Sequence, residues 1–203
     1  MPRSNAPTNA ALFACCLALA FAPACWTTKS DGSNAEYPQL KSAEMGTMLN
    51  VCVSGSIWFG GTPTIEDIDL AKRRGIESVI GLSDVDRGQR SELGDHTSGL
   101  GMSFYAVPIK SGLNTPAGTV DLVLGLLRQS KESPTLMYCE NGAVSAMFFA
   151  IYRVVYEGVE VEEALIEARK VGMKPGASQE FVLTHIERLT GWDLLADGDD
   201  SGQ

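Results

Sequence analysis

The stretch "LMYCENGAVSAMFFAIY", residues 136–152, carries a short apolar run into Cys139, passes Gly142 and continues into a longer apolar run. The first run, preceded by Ser133 and Pro134, has the length of a buried strand, and the second predicts a helix over roughly 143–157. Cys139 therefore stands at a seam where the backbone amides of Glu140, Asn141, Gly142, Ala143, Val144 and Ser145 curl toward a helix N-terminus. Such a nest carries partial positive charge, stabilises anions and can lower a thiol pKa.

Working back from this seam, "LNVCVSGSIWFGG" (49–61) gives two short β-type runs broken at Ser54 and Gly55, a hairpin. Thr64 with Asp67 marks a helix start, Ile65, Ile68 and Ala71 line one face, and Gly75 closes it. "IESVIGL" (76–82) is a continuous apolar run suited to a strand covered on both faces. A polar segment, expected as a solvated loop, separates it from the strand "MSFYAVPI" (102–109). Thr115 and Pro116 cap a helix with Val120, Val123, Leu124 and Leu127 on its apolar stripe. Beyond the seam, Val161, Ala164, Leu165 and Ala168 mark one helix, and Val182, Ile186 and Leu189 another. Strands alternating with helices predict an α/β three-layer sandwich with a mostly parallel central sheet, whose ligands bind beyond the strands' carboxyl ends.

The 203 residues suffice for one substantial core, and a formal charge of −9, from 16 basic and 25 acidic residues, argues against a nucleic-acid surface or a polybasic membrane patch. At the start, Arg3 precedes an uncharged run from Ala10 to Phe21, then Ala22, Pro23 and Ala24. This pattern predicts a signal peptide over 1–24 and an exported chain. Cys25 follows at once and resembles the lipid-attachment cysteine of bacterial lipoproteins, although Ala22 stands where leucine is usual. Lipid anchoring in the cell envelope and plain secretion both remain open, with the anchor as the only expected membrane contact. Residues 25–48 read as a polar tether, 49–191 as the folded domain and 192–203 as an acidic tail. With two histidines and no metal-ligand spacing, no metal and no cofactor is expected.

The segment around Cys139 resembles the phosphate-binding loop of cysteine-dependent tyrosine and dual-specificity phosphatases, in which His-Cys is followed by five residues and an arginine. Cys139 and Gly142 match, while Tyr138 takes the histidine position and Ser145 the arginine position. Aligned instead to the bacterial beta-lactamase-hydrolase-like branch, which reads Cys-x-Ser-Gly-x-Arg, the arginine position is Val144. "GGTP" (60–63), "GIESVIGL" (75–82), "GMSFYAVPI" (101–109) and "EGVEVEEALIEARKVGMKPG" (157–176) occur in the order this branch shows, so the resemblance spans roughly 50–190.

In the family's reaction the thiolate attacks phosphorus, the arginine fork holds the equatorial oxygens and an aspartate on a neighbouring loop protonates the leaving group. Here that loop has Lys110, Ser111 and Gly112. Losing a charge-stabilising group costs about two to three powers of ten, and losing the general acid about two to four more. The resemblance therefore implies a pseudophosphatase with Cys139 as an unused nucleophile, whose loop holds a phosphate- or sulfate-like anion or a protein partner. The alternatives are an active phosphatase using Lys110 or Arg153 as the cation, and a rhodanese-like sulfur carrier. Cys139 as a small buried hydrophobe and Lys110 as a solvated loop lysine are the structural readings of the same residues. A Cys52–Cys139 bridge would remove the nucleophile altogether. Asp84, Asp86, Glu92, Asp95 and His96 are expected in a solvated loop, and His185 as a packed or partly exposed helix residue.

Overall fold

The computed structural model describes residues 37–82, 87–109 and 114–195. Six strands form one sheet in the order β1 (Lys41–Ser42), β2 (Cys52–Ser54), β3 (Ile57–Gly60), β6 (Thr135–Tyr138), β4 (Ser78–Leu82) and β5 (Ser103–Val107). β1, β2 and β3 pair antiparallel, whereas β3, β6, β4 and β5 run parallel. Parallel neighbours need crossovers, and α1 (Ile65–Arg73), α2 (Arg87–Gly99) and α3 (Ala117–Gln129) supply them. After β6 come α4 (Ala143–Tyr152), a π-helical turn (Arg153–Glu157), α5 (Val161–Val171) and α6 (Ala177–Thr190).

Alternation along the strands divides the core in two. Ile57, Phe59, Ile80, Leu82, Met137 and Cys139 face α3, α4, α5 and α6, while Val79, Leu136 and Tyr138 face α1 and α2. α4 is the central helix of the larger layer: every residue from Ser145 to Tyr152 is buried, and Phe149 stacks on Phe59 of β3 at 4.5 Å between centroids. Burial of each such large side chain contributes on the order of 1.5–3 kcal/mol. α4 is thus fixed against the sheet along its whole length, and with it the loop at its N-terminus.

Three expectations change. The polar segment after β4 contains helix α2, not only loop; Leu93 and Thr97, one turn apart, are buried while most of the remaining described face is polar and exposed, so its apolar period is too sparse to read. The polar tether ends earlier than 48, because β1 pairs with β2 and Met45 and Met48 are buried. The N-cap of α3 is Pro116, one residue later than the Thr115 cap expected.

The start of α1 follows the sequence closely. Asp67 N–H donates to Thr64 Oγ1 at 3.2 Å, and Asp67 Oδ2 accepts from Thr64 N–H at 3.0 Å, closing the reciprocal capping box. Asp67 also accepts from the backbone N–H and the hydroxyl of Thr47, both at 2.8 Å, which joins the first described segment to α1. Burial works to raise the Asp67 pKa, yet these hydrogen bonds together hold it below the usual carboxylate range.

Candidate active site

Cys139 follows β6 directly and its side chain belongs to the α3–α6 layer, only 2% exposed. Its Sγ accepts a hydrogen bond from Gly142 N–H at 3.1 Å. The chain can turn back so sharply because Gly142 has φ +91°, a left-handed conformation; a Cβ there would also lie 3.3 Å from Asn50 Cβ and 3.4 Å from Gly60 C. α4 begins at the next residue. The thiol, the turn and the helix N-terminus predicted from the sequence are therefore brought together.

The loop is tied to the end of β3 and the segment before β2. Cys139 N–H donates to Gly60 O at 3.2 Å, Thr62 N–H to Glu140 O at 3.3 Å, and Thr62 Oγ1 to Cys139 O at 3.2 Å. Asn50 Nδ2 donates to Asn141 O at 2.8 Å, from a residue itself held at φ +51°. The Asn141 side chain accepts from Ala143 N–H at 3.0 Å. Two amides of the cradle, Gly142 and Ala143, are thus engaged within the loop. Val144 and Ser145 stand in the first helical turn, where an amide has no carbonyl partner four residues back. Asn50 and Thr62 were not singled out in the sequence. The only trace of them there is their position beside "LNV" and "GGTP".

Neither arginine position carries a charge. Val144 is half-buried, and Ser145 is fully buried with an Oγ that meets no hydrogen-bond partner. Tyr138 belongs to the opposite layer, where its phenol packs over Gly81 of β4, whose Cβ, were there one, would lie 2.7 Å from the hydroxyl. Arg153, weighed as a substitute cation, stands past the far end of α4. Eleven residues from Gly142 at about 1.5 Å each place it some 16 Å along the helix. Its guanidinium is committed there: Nε and Nη2 donate to the Glu167 carboxylate at 3.0 Å each, and Nη1 to Glu157 at 2.6 Å and Pro38 O at 2.9 Å. That removes Arg153 from the catalytic candidates. Lys110, Ser111, Gly112, Asp84, Asp86 and Cys25 lie outside the described residues.

Cys52 and Cys139 are both free thiols. Register explains why no bridge forms between them. Cys52 pairs with Phe59 and Phe59 with Met137, so the cysteines are two strands apart and offset by two residues. Strand spacing and rise put their Cα atoms about 12 Å apart, beyond the roughly 7 Å a disulfide spans. Burial raises the Cys52 pKa, which leaves that thiol protonated and unreactive at neutral pH. The remaining candidates stay away from the loop. His96 Nε2 lies 2.8 Å from Asp69 Oδ1 and joins α2 to α1. His185 is buried, packs edge-on against Phe181 and accepts from Arg188 Nε at 3.3 Å.

No known protein-family model matches the sequence, and no curated protein sequence matches it. Solved structures do match. A putative phosphatase of Shewanella putrefaciens CN-32 superposes with a TM-score of 0.59 at 16% identity, covering 70% of this chain and 93% of that one. The core catalytic domain of the Saccharomyces cerevisiae PP-IP phosphatase SIW14, solved with citrate, gives 0.59 at 18% identity over 73% and 90%. TpbA of Pseudomonas aeruginosa gives 0.58 at 20% identity over 79% and 92%, and a variant of it was solved with phosphotyrosine. The chain thus has the fold of the cysteine-dependent tyrosine and dual-specificity phosphatases.

Proposed function

We propose that this chain is an exported phosphatase-fold protein whose Cys139 loop holds a phosphate- or sulfate-like anion, free or on a protein partner, without turning it over. The observation that carries the reading is Ser145. At the position where the resemblance places the arginine fork there is a fully buried hydroxyl with no partner. A neutral hydroxyl cannot balance the charge that develops on equatorial phosphoryl oxygens, and its loss of bidentate geometry removes about two to three powers of ten in rate. Glu140 adds a negative charge at the mouth of the loop. What supports binding is the surviving cradle: the left-handed turn at Gly142, the thiol accepting from its amide, and the first-turn amides of α4. The SIW14 domain was solved with citrate and a TpbA variant with phosphotyrosine, and those two anionic ligands are consistent with the reading.

The decisive measurement is hydrolysis of an aryl phosphate by the full chain beside Cys139→Ser. Equal, background-level rates are expected. Appreciable turnover that disappears in Cys139→Ser would establish instead the active enzyme, which the retained amide-to-thiol contact favours. Sulfate or vanadate titration should shift the amides of residues 140–145, and indifference of those amides at high concentration would remove anion binding. Persulfide formation on Cys139 from thiosulfate would move the assignment to sulfur transfer. Export and anchoring rest on the sequence pattern around Cys25; incorporation of labelled palmitate that is lost in Cys25→Ala separates the anchored from the secreted form.

A further inference from the structure

The two edges of the sheet are finished differently. β1 is two residues long and carries the exposed Lys41, a short and charged edge of the kind that discourages pairing. β5 is five residues long, holds no charged residue and no proline, and runs in unbroken register with β4. It ends the sheet, so one side of its backbone has no strand beside it among the described residues.

Register says which groups are left over. Ser103 N–H donates to Glu77 O at 2.9 Å, so Ser103, Tyr105 and Val107 turn their N–H and C=O toward β4. Phe104 and Ala106 turn theirs outward, and Ala106 is exposed. The open ladder is closed to donors on either side, because Met102 N–H is spent on Thr97 O at 3.2 Å and Pro108 has no N–H. Phe104 and Ala106 thus supply the only outward donors between residues 102 and 108.

These two residues sit symmetrically about Tyr105, which selects a second copy of the same strand. In an antiparallel pairing that sets Tyr105 against its own equivalent, Phe104 of each copy lies opposite Ala106 of the other. Each such pair exchanges N–H···O bonds in both directions, so every outward donor is satisfied. A slip of two residues brings Ala106 opposite Met102, or Phe104 opposite Pro108, and loses reciprocal bonds. The Tyr105 rings meet as a non-hydrogen-bonded pair, Cα atoms about 4.5 Å apart, on the face of α3–α6, while Phe104 meets the small Ala106 on the other. No charge of β5 is set against its like, although the chain carries −9. We propose that β5 is a self-association edge, through which two copies of this chain join about a two-fold axis into one continuous sheet. The strands of the copies run antiparallel across the join, so the two Cys139 loops, each after the carboxyl end of β6, open at opposite ends and both stay free for a ligand.

The test is sedimentation equilibrium of the full chain from about 10 µM to about 1 mM, in salt that screens its net charge, beside amide hydrogen exchange. A reversible monomer–dimer equilibrium is expected, with the Phe104 and Ala106 amides protected in step with the dimer. Ala106→Pro removes an outward donor and leaves the pairing with β4 intact. It should weaken association at least tenfold with unchanged circular dichroism. Tyr105→Cys should give a disulfide-linked dimer on oxidation beyond any formed by the parent. Ser103→Cys should not, because its equivalent lies about 13 Å away along the strand. A monomer throughout, a dimer indifferent to Ala106→Pro, or equal linking through the two cysteines would each overturn the proposal. So would Phe104 and Ala106 amides already protected in the monomer, since a segment of the same chain would then cover the edge.

Discussion

The two ends of α4 treat charge in opposite ways. At its N-terminus the loop keeps the thiol but has a serine or, in the other alignment, a valine where the phosphatase resemblance calls for a guanidinium. At the far end a guanidinium with no solvent exposure is saturated by two carboxylates, a carbonyl and the faces of Tyr37 and Phe149. Removing an ion from water costs several kcal/mol, and only a full set of partners offsets that. Arg153 has such a set and is a structural residue. Among the described residues the Cys139 loop has no cationic side chain, and the proposed anion site rests on its backbone dipoles.

Disrupting the far end should have the largest effect. Arg153→Met leaves Glu157 and Glu167 without their partner, and a stability loss of about 3–5 kcal/mol is expected in urea denaturation. Alkylation of Cys139 in the folded state should be unchanged; a change would mean that the two ends are coupled after all. Placing the charge at the other end sharpens the contrast. Ser145→Arg, with the fold checked by circular dichroism, should tighten phosphate or vanadate by about ten- to hundredfold, the worth of one or two charge-assisted hydrogen bonds. Unchanged affinity would show that the loop no longer presents its amides to that position.

Smaller effects probe the loop's own hydrogen bonds. Asn141→Ala removes the acceptor on Ala143 N–H and should cost about 1 kcal/mol of stability, while freeing that amide for an anion, readable as a larger Ala143 shift with sulfate. The smallest effect is a pH dependence in the helical layer. Burial first, then the Arg188 charge, hold the His185 pKa below the ordinary imidazole value. The unfolded imidazole therefore takes up a proton before the folded one does. Stability should be complete above about pH 6.5 and decline as pH falls below it, levelling off beneath the lowered folded value. His185→Gln should flatten the melting temperature between pH 7.5 and 5.5, and an unchanged slope would assign it to other groups.

Much of the fold was legible because its signals are local. The Thr64–Asp67 cap, the apolar runs of β4 and β6, the stripe of α3 and the glycine after Cys139 each declare themselves within a few residues, since capping, period and left-handed turns are short-range requirements. Helix α2 was hidden because a helix resting one edge on a core needs few apolar residues. Asn50, Thr62 and the first described segment were hidden because their contacts cross long stretches of chain, 91 residues in the case of Asn50 and Asn141.

By itself the sequence determined the strand–thiol–helix seam and the absence of arginine from it. Only the tertiary structure decided that Arg153 is spent elsewhere, that Cys52 and Cys139 stand too far apart to bridge, and that Ser145 is buried without a partner. Those are matters of strand register and helix length, which fix distances between residues that spacing along the chain leaves open.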